Sequence, residues 1–283
     1  MDMQLWITNQ SQRLAPQFIN SQMGSPSLLV SNSLDMVAKK YAPISLQEMN
    51  DDVSLLNRVD KKFVMTKKQL NVVLENLHND YQILTIQKHR LNHYHTVYFD
   101  TPDFQLYHMH VNENAERYKI RYREYLDSCV SYLEVKHKTR KERTIKDRIP
   151  ALLPYAHSIP EANAWLSEVC PYDPEWLEPK MSNAFTRITL VNKKLAERVT
   201  LDTDLVFFSR NNLVRMEEIA IAEVKTSNAH QLTPFIMEMR NMRIQPQGFS
   251  KYCMGISMLY DNVKKNAIKP KMLMIKKMLE GDY

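Results

Sequence analysis

Along much of this chain, polar and apolar residues alternate with a period of two, and the polar partner is repeatedly charged. Arg58, Asp60 and Lys62 alternate in RVDKKFVM, and Lys119, Arg121 and Arg123 in RYKIRYREY. Glu134, Lys136 and Lys138 follow in YLEVKHK, then Lys146 and Arg148 in TIKDRI. Arg198, Thr200, Asp202 and Asp204 alternate in ERVTLDTDLVF, and Glu223 with Lys225 in AIAEVKT. Residues two apart share one face of a strand. Each segment is therefore expected to be a strand with one charged face, and with Ile120, Tyr122, Leu133, Val135, Ile145, Val199, Leu201 and Val224 opposite. One such strand could simply show its charges to water. Six together predict an α+β fold in which an eight-stranded antiparallel β-barrel encloses a charged lumen and packs helices outside.

Other segments carry different periods. Strands are expected at about 57–65, 82–88, 94–100, 183–192, 197–208 and 218–226, with three consecutive antiparallel strands between Arg117 and Ile149. Thr66, with Gln69 three residues on, has the spacing of a capping box, and Leu70, Val73, Leu74 and Leu77 form the stripe of the helix it starts. Ser45 is placed to cap a short helix. Ala162, Trp165, Leu166 and Val169 lie at helical spacing in a proline-punctuated covering layer between Pro150 and Lys180. Thr233-Pro234 has the cap-then-proline order of a helix start, and Phe249 to Tyr260 also reads as helix. Residues 1–42, rich in Gln, Asn, Ser and Pro, read as a mobile extension before a domain over 43–262. Residues 263–283 carry a basic, Met-rich helix, either docked or open to a partner or a membrane surface.

Charge sharpens this picture. The 283 residues hold 38 Lys and Arg against 32 Asp and Glu, a net charge of +6. The stretch from Arg117 to Arg148 has 11 basic and 5 acidic residues, so it alone accounts for an excess of that size. Three scattered cysteines (Cys129, Cys170, Cys253) fit reduced thiols and a cytoplasmic location. No transmembrane segment is expected. The only glycines are Gly24, Gly248, Gly255 and Gly281. That spacing excludes the glycine loops that cradle phosphate with backbone N–H groups. Phosphate bound here must be held by side chains.

In order along the chain, RVDKKFVM, YFDTPD (98–103), RYKIRYREY (117–125), LEVKHK (133–138), RTIKDRI (143–149), ERVTLDTDL (197–205), IAEVKT (221–226) and FSKYCMG (249–255) resemble the VTC domain of polyphosphate polymerases. That family is a branch of the CYTH-like superfamily of triphosphate tunnel metalloenzymes. The resemblance spans about residues 42–260. It implies a tunnel that binds ATP and inorganic polyphosphate, and a divalent-metal-dependent transfer of the γ-phosphoryl of ATP onto a growing polyphosphate chain. By motif it implies Lys62 as the first-strand lysine. Arg121, Arg123, Lys136, Lys146, Arg187, Arg198 and Lys251 become phosphate clamps, and Glu223 the carboxylate for Mn²⁺ or Mg²⁺.

The residues themselves agree in part. Arg and Lys in a rigid site can neutralise a triphosphate without a glycine loop. Such crowding of like charge is costly without a counterion, which argues against a purely structural role. Lys62, Arg121, Arg123 and Lys136 are the candidate catalytic residues; Lys146, Arg148, Arg187, Arg198, Lys225 and Lys251 are the candidate phosphate ligands. Glu134 stands beside Lys136 as Glu223 does beside Lys225, which makes it the second candidate metal ligand. Asp60, Asp202 and Asp204 read more simply as salt-bridge partners.

The hydrolytic tunnel enzymes carry E-x-E-x-K on the first strand, where this chain has Arg58-Val59-Asp60-Lys61-Lys62. Loss of the carboxylate pair moves the reading from a triphosphatase toward transfer to a phosphate acceptor. A non-catalytic sensor of polyphosphate or inositol pyrophosphate is the remaining alternative. Nucleic acid is disfavoured, because Tyr118 and Tyr122 fall opposite the cationic face. His93 and His95 share one face, as do His108 and His110, but nothing completes a zinc set. Tyr98, Phe99 and Asp100 are explained by a strand end with a turn-forming Asp.

Overall fold

The computed structural model describes residues 28–52, 59–141, 143–151, 160–228 and 230–280. Arg58, and residues 1–27 of the expected extension, lie outside them. The chain opens with α1 (Leu28–Ala38), β1 (Ala42–Ile44) and α2 (Leu46–Asp52). Leu34, Val37, Ala38 and Tyr41 are buried in the main core. Ser45 caps α2: its Oγ accepts from the Glu48 N–H at 3.2 Å, and its own N–H donates to the Glu48 carboxylate at 2.8 Å. β2 (Val59–Thr66) runs straight into α3 (Lys67–Leu77) through the Thr66–Gln69 capping box, with bonds of 3.2 and 2.9 Å. The Leu70, Val73, Leu74 and Leu77 stripe is buried.

Next come β3 (Tyr81–Leu84), β4 (Asn92–Asp100), α4 (Gln105–Val111), and the meander β5 (Arg117–Tyr125), β6 (Val130–Lys138) and β7 (Thr144–Pro150). After α5 (Pro160–Val169) follow β8 (Glu178–Asn192), β9 (Glu197–Phe208), β10 (Leu213–Met216) and β11 (Ile219–Thr226). The described chain closes with α6 (Pro234–Asn241), α7 (Lys251–Leu259) and α8 (Lys269–Glu280). The pattern did not predict α4. Its start is fixed by Asp100, whose carboxylate accepts from the N–H groups of Thr101, Leu106 and Tyr107 at 2.8, 2.8 and 3.0 Å, and from the Tyr252 hydroxyl. Asp100 is fully buried and serves as an anchor, as the strand-end reading expected.

The eleven strands form one sheet whose main path is β2-β11-β9-β8-β4-β5-β6-β7, with β1, β3 and β10 attached at its side. Antiparallel ladders join every neighbouring pair on that path. The expected eight-stranded barrel is not formed. β2 and β7 stand at opposite ends of the path and share no ladder, so the sheet is open, and it is not strongly curled. A period-two pattern fixes which residues share a face and is silent on whether the two edge strands meet.

The helices also depart from the expected arrangement. One face of the sheet buries Phe63, Met65, Leu190, Val199, Leu201 and Val224 with α1, α3 and α6; farther along, Val97, Phe99, Ile120, Tyr122, Leu133 and Val135 pack with α5. The charged face has an apolar part of its own. There Val64, Tyr94, Tyr98, Phe185, Phe207 and Ile221 pack with Tyr252, Met254 and Ile256 of α7 and Ile275 of α8. Gly255 permits this approach, because a Cβ at that position would come within 2.7 Å of Phe207 and 2.8 Å of Met181. The charges therefore occupy part of a face rather than lining an enclosed lumen.

Candidate functional site

Ladder register places the charged positions side by side. Arg121, Glu134 and Arg148 oppose one another on β5, β6 and β7, and Lys119, Lys136 and Lys146 form the next row. On the other limb, Lys62 opposes Glu223, Lys225 opposes both Asp60 and Arg198, and Arg187 opposes Asp202. Directly opposed like charges destabilise a sheet, so a row of three lysines on adjacent strands is unusual without a counterion.

On the charged face, the carboxylates Glu134, Asp202 and Glu223 are each held between cations. Glu134, 1% exposed, accepts from Arg121 Nε at 2.7 Å and pairs with Lys146 at 2.9 Å. Burial opposes its ionisation, but Arg121, Arg123 and Lys146 prevail and hold its carboxyl down at about 2. Asp202, 3% exposed, takes a two-pronged bond from Arg187 at 2.6 and 2.8 Å and another from Lys251. Burial is again overcome, and Arg187 and Lys251 keep Asp202 well below the usual carboxylate range. Glu223 accepts from Lys225 and lies 3.9 Å from Lys62. Against the cost of burial, Lys62 and Lys225 bring it to about 2. Lys225 also reaches Asp60 at 3.1 Å.

Several cations lack such compensation. Lys136 makes no hydrogen bond or ion pair among the described residues. Crowding by protein atoms, together with Lys119 and Lys62, pushes its ammonium down to about 8, although its exposure to solvent screens part of that repulsion. Burial, with Arg121 next to it, lowers Arg123, whose Nε donates to Thr96 Oγ1 at 3.3 Å. Burial also lowers Lys119, and nearby Lys62 adds to that effect. Arg148 is exposed and sits 4.5 Å over the Tyr132 ring.

The segment before α7 draws the two limbs together. Lys62 donates to the Phe249 carbonyl at 3.2 Å, Lys119 to Ser250 Oγ at 3.3 Å, and Lys251 to Asp202. Strands far apart in the sheet order thus deliver charge to three consecutive residues. Ser250 in turn caps α7 by accepting from the Cys253 N–H.

Some positions depart from the sequence pattern. A bulge between β8 and β9 puts Asp204 at φ 53° and breaks the alternation there. Asp204 leaves the charged row and pairs with Lys67 at 2.5 Å. His93 binds Asp127 at 3.0 Å, and His95 binds Glu124 at 2.5 Å. His108 and His110 lie in α4, where residues two apart do not share a face. His110 instead contacts the Tyr118 carbonyl at 2.9 Å, and burial pushes its ring down to about 2.

Sequence reasoning gave no site role to Tyr98, which the fold surrounds with Arg121, Arg123, Lys119 and Lys251. Burial opposes loss of its proton, yet those cations lower its phenol below the ordinary value. Its one signal was position: Tyr98 directly opposes Arg121 across the β4–β5 ladder.

For a divalent metal, the two candidate carboxylates differ. Both oxygens of Glu134 are engaged by ion pairs under an almost closed surface. Glu223 is more open, its side chain 26% exposed, and its Oε2 is only loosely approached. Among the described residues, no three His, Cys, Asp or Glu side chains gather into a ligand set. One open carboxylate supplemented by phosphate oxygens is the arrangement Mg²⁺ commonly takes, and Glu223 fits that role.

A family model described as the VTC domain matches residues 57–260. No curated protein matches the chain. Among solved structures, a putative adenylate cyclase from Bacillus halodurans is 12% identical with a TM-score of 0.47, over 70% of this chain and 95% of that one. A putative adenylyl cyclase from Hippeastrum, described as having a dominant triphosphatase activity, is 13% identical with a TM-score of 0.47, over 73% of this chain and 98% of that one. A protein from Pyrococcus horikoshii is 10% identical with a TM-score of 0.40, over 71% and 96%. No described helix is long and apolar enough to cross a membrane.

Proposed function

Since this chain belongs to the VTC domain family of the CYTH-like superfamily, we propose that it is a polyphosphate polymerase: the terminal phosphate oxygen of a polyphosphate chain attacks the γ-phosphorus of ATP, the β–γ bridging bond breaks, and ADP leaves. The observation that carries this reading is the Lys119–Lys136–Lys146 row beside Arg121 and Arg123, in which Glu134 pairs with Arg121 and Lys146 while Lys136 has no ion-pair partner among the described residues. A polyanion is the counterion such a row lacks. The proposed donor triphosphate lies along Arg121, Arg123 and Arg187, whose guanidinium groups suit phosphate oxygens. The acceptor chain is held by Lys62, Lys119, Lys136 and Lys146, with Arg148, Arg198, Lys225 and Lys251 setting the surrounding field.

The acceptor's terminal phosphate is already an anionic nucleophile, so the reaction requires no strong base. Alignment and charge neutralisation are what the site must supply. Glu134 keeps Arg121 and Lys146 in place, and Asp202 does the same for Arg187 and Lys251. A divalent ion held by Glu223 would add neutralisation at the phosphoryl oxygens.

The test is incubation with ATP, Mn²⁺ and a short polyphosphate primer beside a Glu223→Ala control, following chain length and free phosphate together. Chain growth that disappears in the control is expected. Free phosphate without growth would replace this reading with a triphosphatase. Tight polyphosphate binding with neither product would make the protein a sensor.

A further inference from the structure

The C-terminal helix α8 lies beyond the residues 57–260 that the family model covers, yet it is built onto the charged face of the sheet. It packs against β2, and its Ile275 joins Val64 of that strand in one buried cluster, with Met272 packed against it. Val64 and Lys62, two residues apart, share a face of β2, while Ile275 and Lys271, four apart, share a face of α8. The helix thus has its own lysine beside the residue that docks it, as β2 has.

Gly248 marks where the two lysines meet. Both of its neighbours bond Lys62: the Gln247 N–H donates to the Lys62 carbonyl at 2.7 Å, and the Lys62 ammonium donates to the Phe249 carbonyl at 3.2 Å. Where a Cβ would stand at Gly248, the nearest atom is Lys271 Nζ, 3.7 Å away. Next along the segment, Ser250 accepts from Lys119, and Lys251 binds Asp202. The ammonium groups of Lys62, Lys119 and Lys271 therefore gather along three consecutive residues. Lys62 has Glu223 at 3.9 Å, whereas the Lys271 side chain makes no hydrogen bond or ion pair among the described residues. Nor does its position serve the helix. Lys271 falls in the first turn of α8, which holds no acidic residue, and the macrodipole disfavours a cation there. Gly248 is exposed and Lys271 half-buried, so the place its ammonium reaches is open to solvent.

We infer that α8 is a wall of the anion site and that Lys271 holds a phosphate of the polyphosphate acceptor beside Lys62. The inference rests on the proposed function and gives the acceptor a path. The chain runs from the Lys119–Lys136–Lys146 row, past Ser250 and Gly248, to α8. A phosphate between Lys62 and Lys271 offsets the repulsion of two ammonium groups set on one short stretch of backbone. Lysine suits this end of the path. A point charge on a flexible stem can follow successive phosphates of a chain that advances as it grows, where an arginine fork would fix one of them.

The test measures binding of long-chain polyphosphate by calorimetry to the whole protein, to Lys271→Met and to Lys277→Met, which removes the same charge from an exposed position on the same helix. Lys271→Met is expected to weaken binding about tenfold, the scale of one charge-assisted contact. Lys277→Met should change it less than about twofold, because solvent screens a charge that makes no contact. Lys271→Arg keeps the charge and should bind as the unmodified protein does. Should Lys271→Met fold poorly, Lys271→Gln gives the same comparison. Equal weakening by Lys271→Met and Lys277→Met, or none by either, overturns the inference. Tripolyphosphate binding to the unmodified protein then leaves the anion reading standing. If the unmodified protein binds neither anion, the inference and the proposed function fall together.

Discussion

The two limbs of the sheet handle charge differently. On β8, β9, β11 and β2, the carboxylates Asp202, Glu223 and Asp60 stand among Arg187, Arg198, Lys225, Lys62 and the incoming Lys251. On β5, β6 and β7, Glu134 is the one carboxylate that the ladders place on the charged face among the described residues; it pairs with Arg121 and Lys146, and Lys119, Arg123, Lys136 and Arg148 stand around it. The first limb is the better balanced, three carboxylates to five cations, and is tied by short ion pairs. The second carries the larger excess of positive charge, which the proposed polyanion would offset. A balanced limb positions groups; an unbalanced one attracts a ligand. Glu223, the carboxylate best suited to a metal, lies on the balanced side.

The sharpest way to break this comparison is to remove one arginine from each kind of environment. On the balanced limb, Arg187→Met takes the two-pronged partner from the buried Asp202 and leaves it Lys251 alone, which is expected to cost about 3 kcal/mol of stability, read from chemical denaturation. On the other limb, Arg123→Met removes a cation with no carboxylate directly bonded to it. Its stability should stay level or rise, while tripolyphosphate affinity falls roughly 10- to 100-fold, the scale of one charge-assisted contact. If both variants lose stability alike, the limbs do not differ as described.

Acid titration comes next in size. The carboxyls of Glu134 and Glu223 are held at about 2, against an ordinary value of 4.5. Their folded-state values are depressed, so the stability they confer is present above the ordinary value and lost as pH falls through 4.5 toward 2. Glu134→Gln should flatten denaturant midpoints across that window.

A smaller effect concerns protons at the lysine row. Lys136, lowered to about 8, is partly neutral at pH 8 in the free protein. A bound polyanion favours its charged form, so tripolyphosphate binding at pH 8 should take up a fraction of a proton. Calorimetry in buffers of different ionisation heat measures this, and Lys136→Met should abolish it. Anion affinity should weaken as pH rises through 8. Without ligand the sign differs: the unfolded chain holds the extra proton between about 8 and 10.5, so this residue makes stability rise modestly with pH there.

The sequence patterns that could be read were local ones. Alternation placed Arg121, Arg123, Lys136, Lys146 and Glu134 on one face because a ladder has only two faces. Capping spacing located α3 and α2, since the Thr66 and Ser45 side chains bond N–H groups three residues away. What could not be read depended on contacts between distant segments. Closure of the sheet rests on whether β2 and β7 pair, which neither strand encodes alone. The partnership of Asp204 with Lys67 follows from a bulge that alternation cannot reveal. The role of residues 249–251 as a meeting point for Lys62, Lys119 and Asp202 arises from chain path rather than from any spacing within FSKYCMG.

Among the described residues β7 pairs with β6 alone, and this has a consequence for how the molecule behaves among its own copies. Beyond its ladder to β6, this strand offers backbone donors and acceptors that another chain could extend. Lys146, Arg148 and Pro150 are all exposed along it, and Asp147 is half-buried. Two cations and a residue without an N–H are the features that discourage a second strand from docking. The side chains proposed to face an anion are therefore also placed as gatekeepers against association. Lys146→Met combined with Arg148→Met should leave a chain that self-associates as its concentration rises.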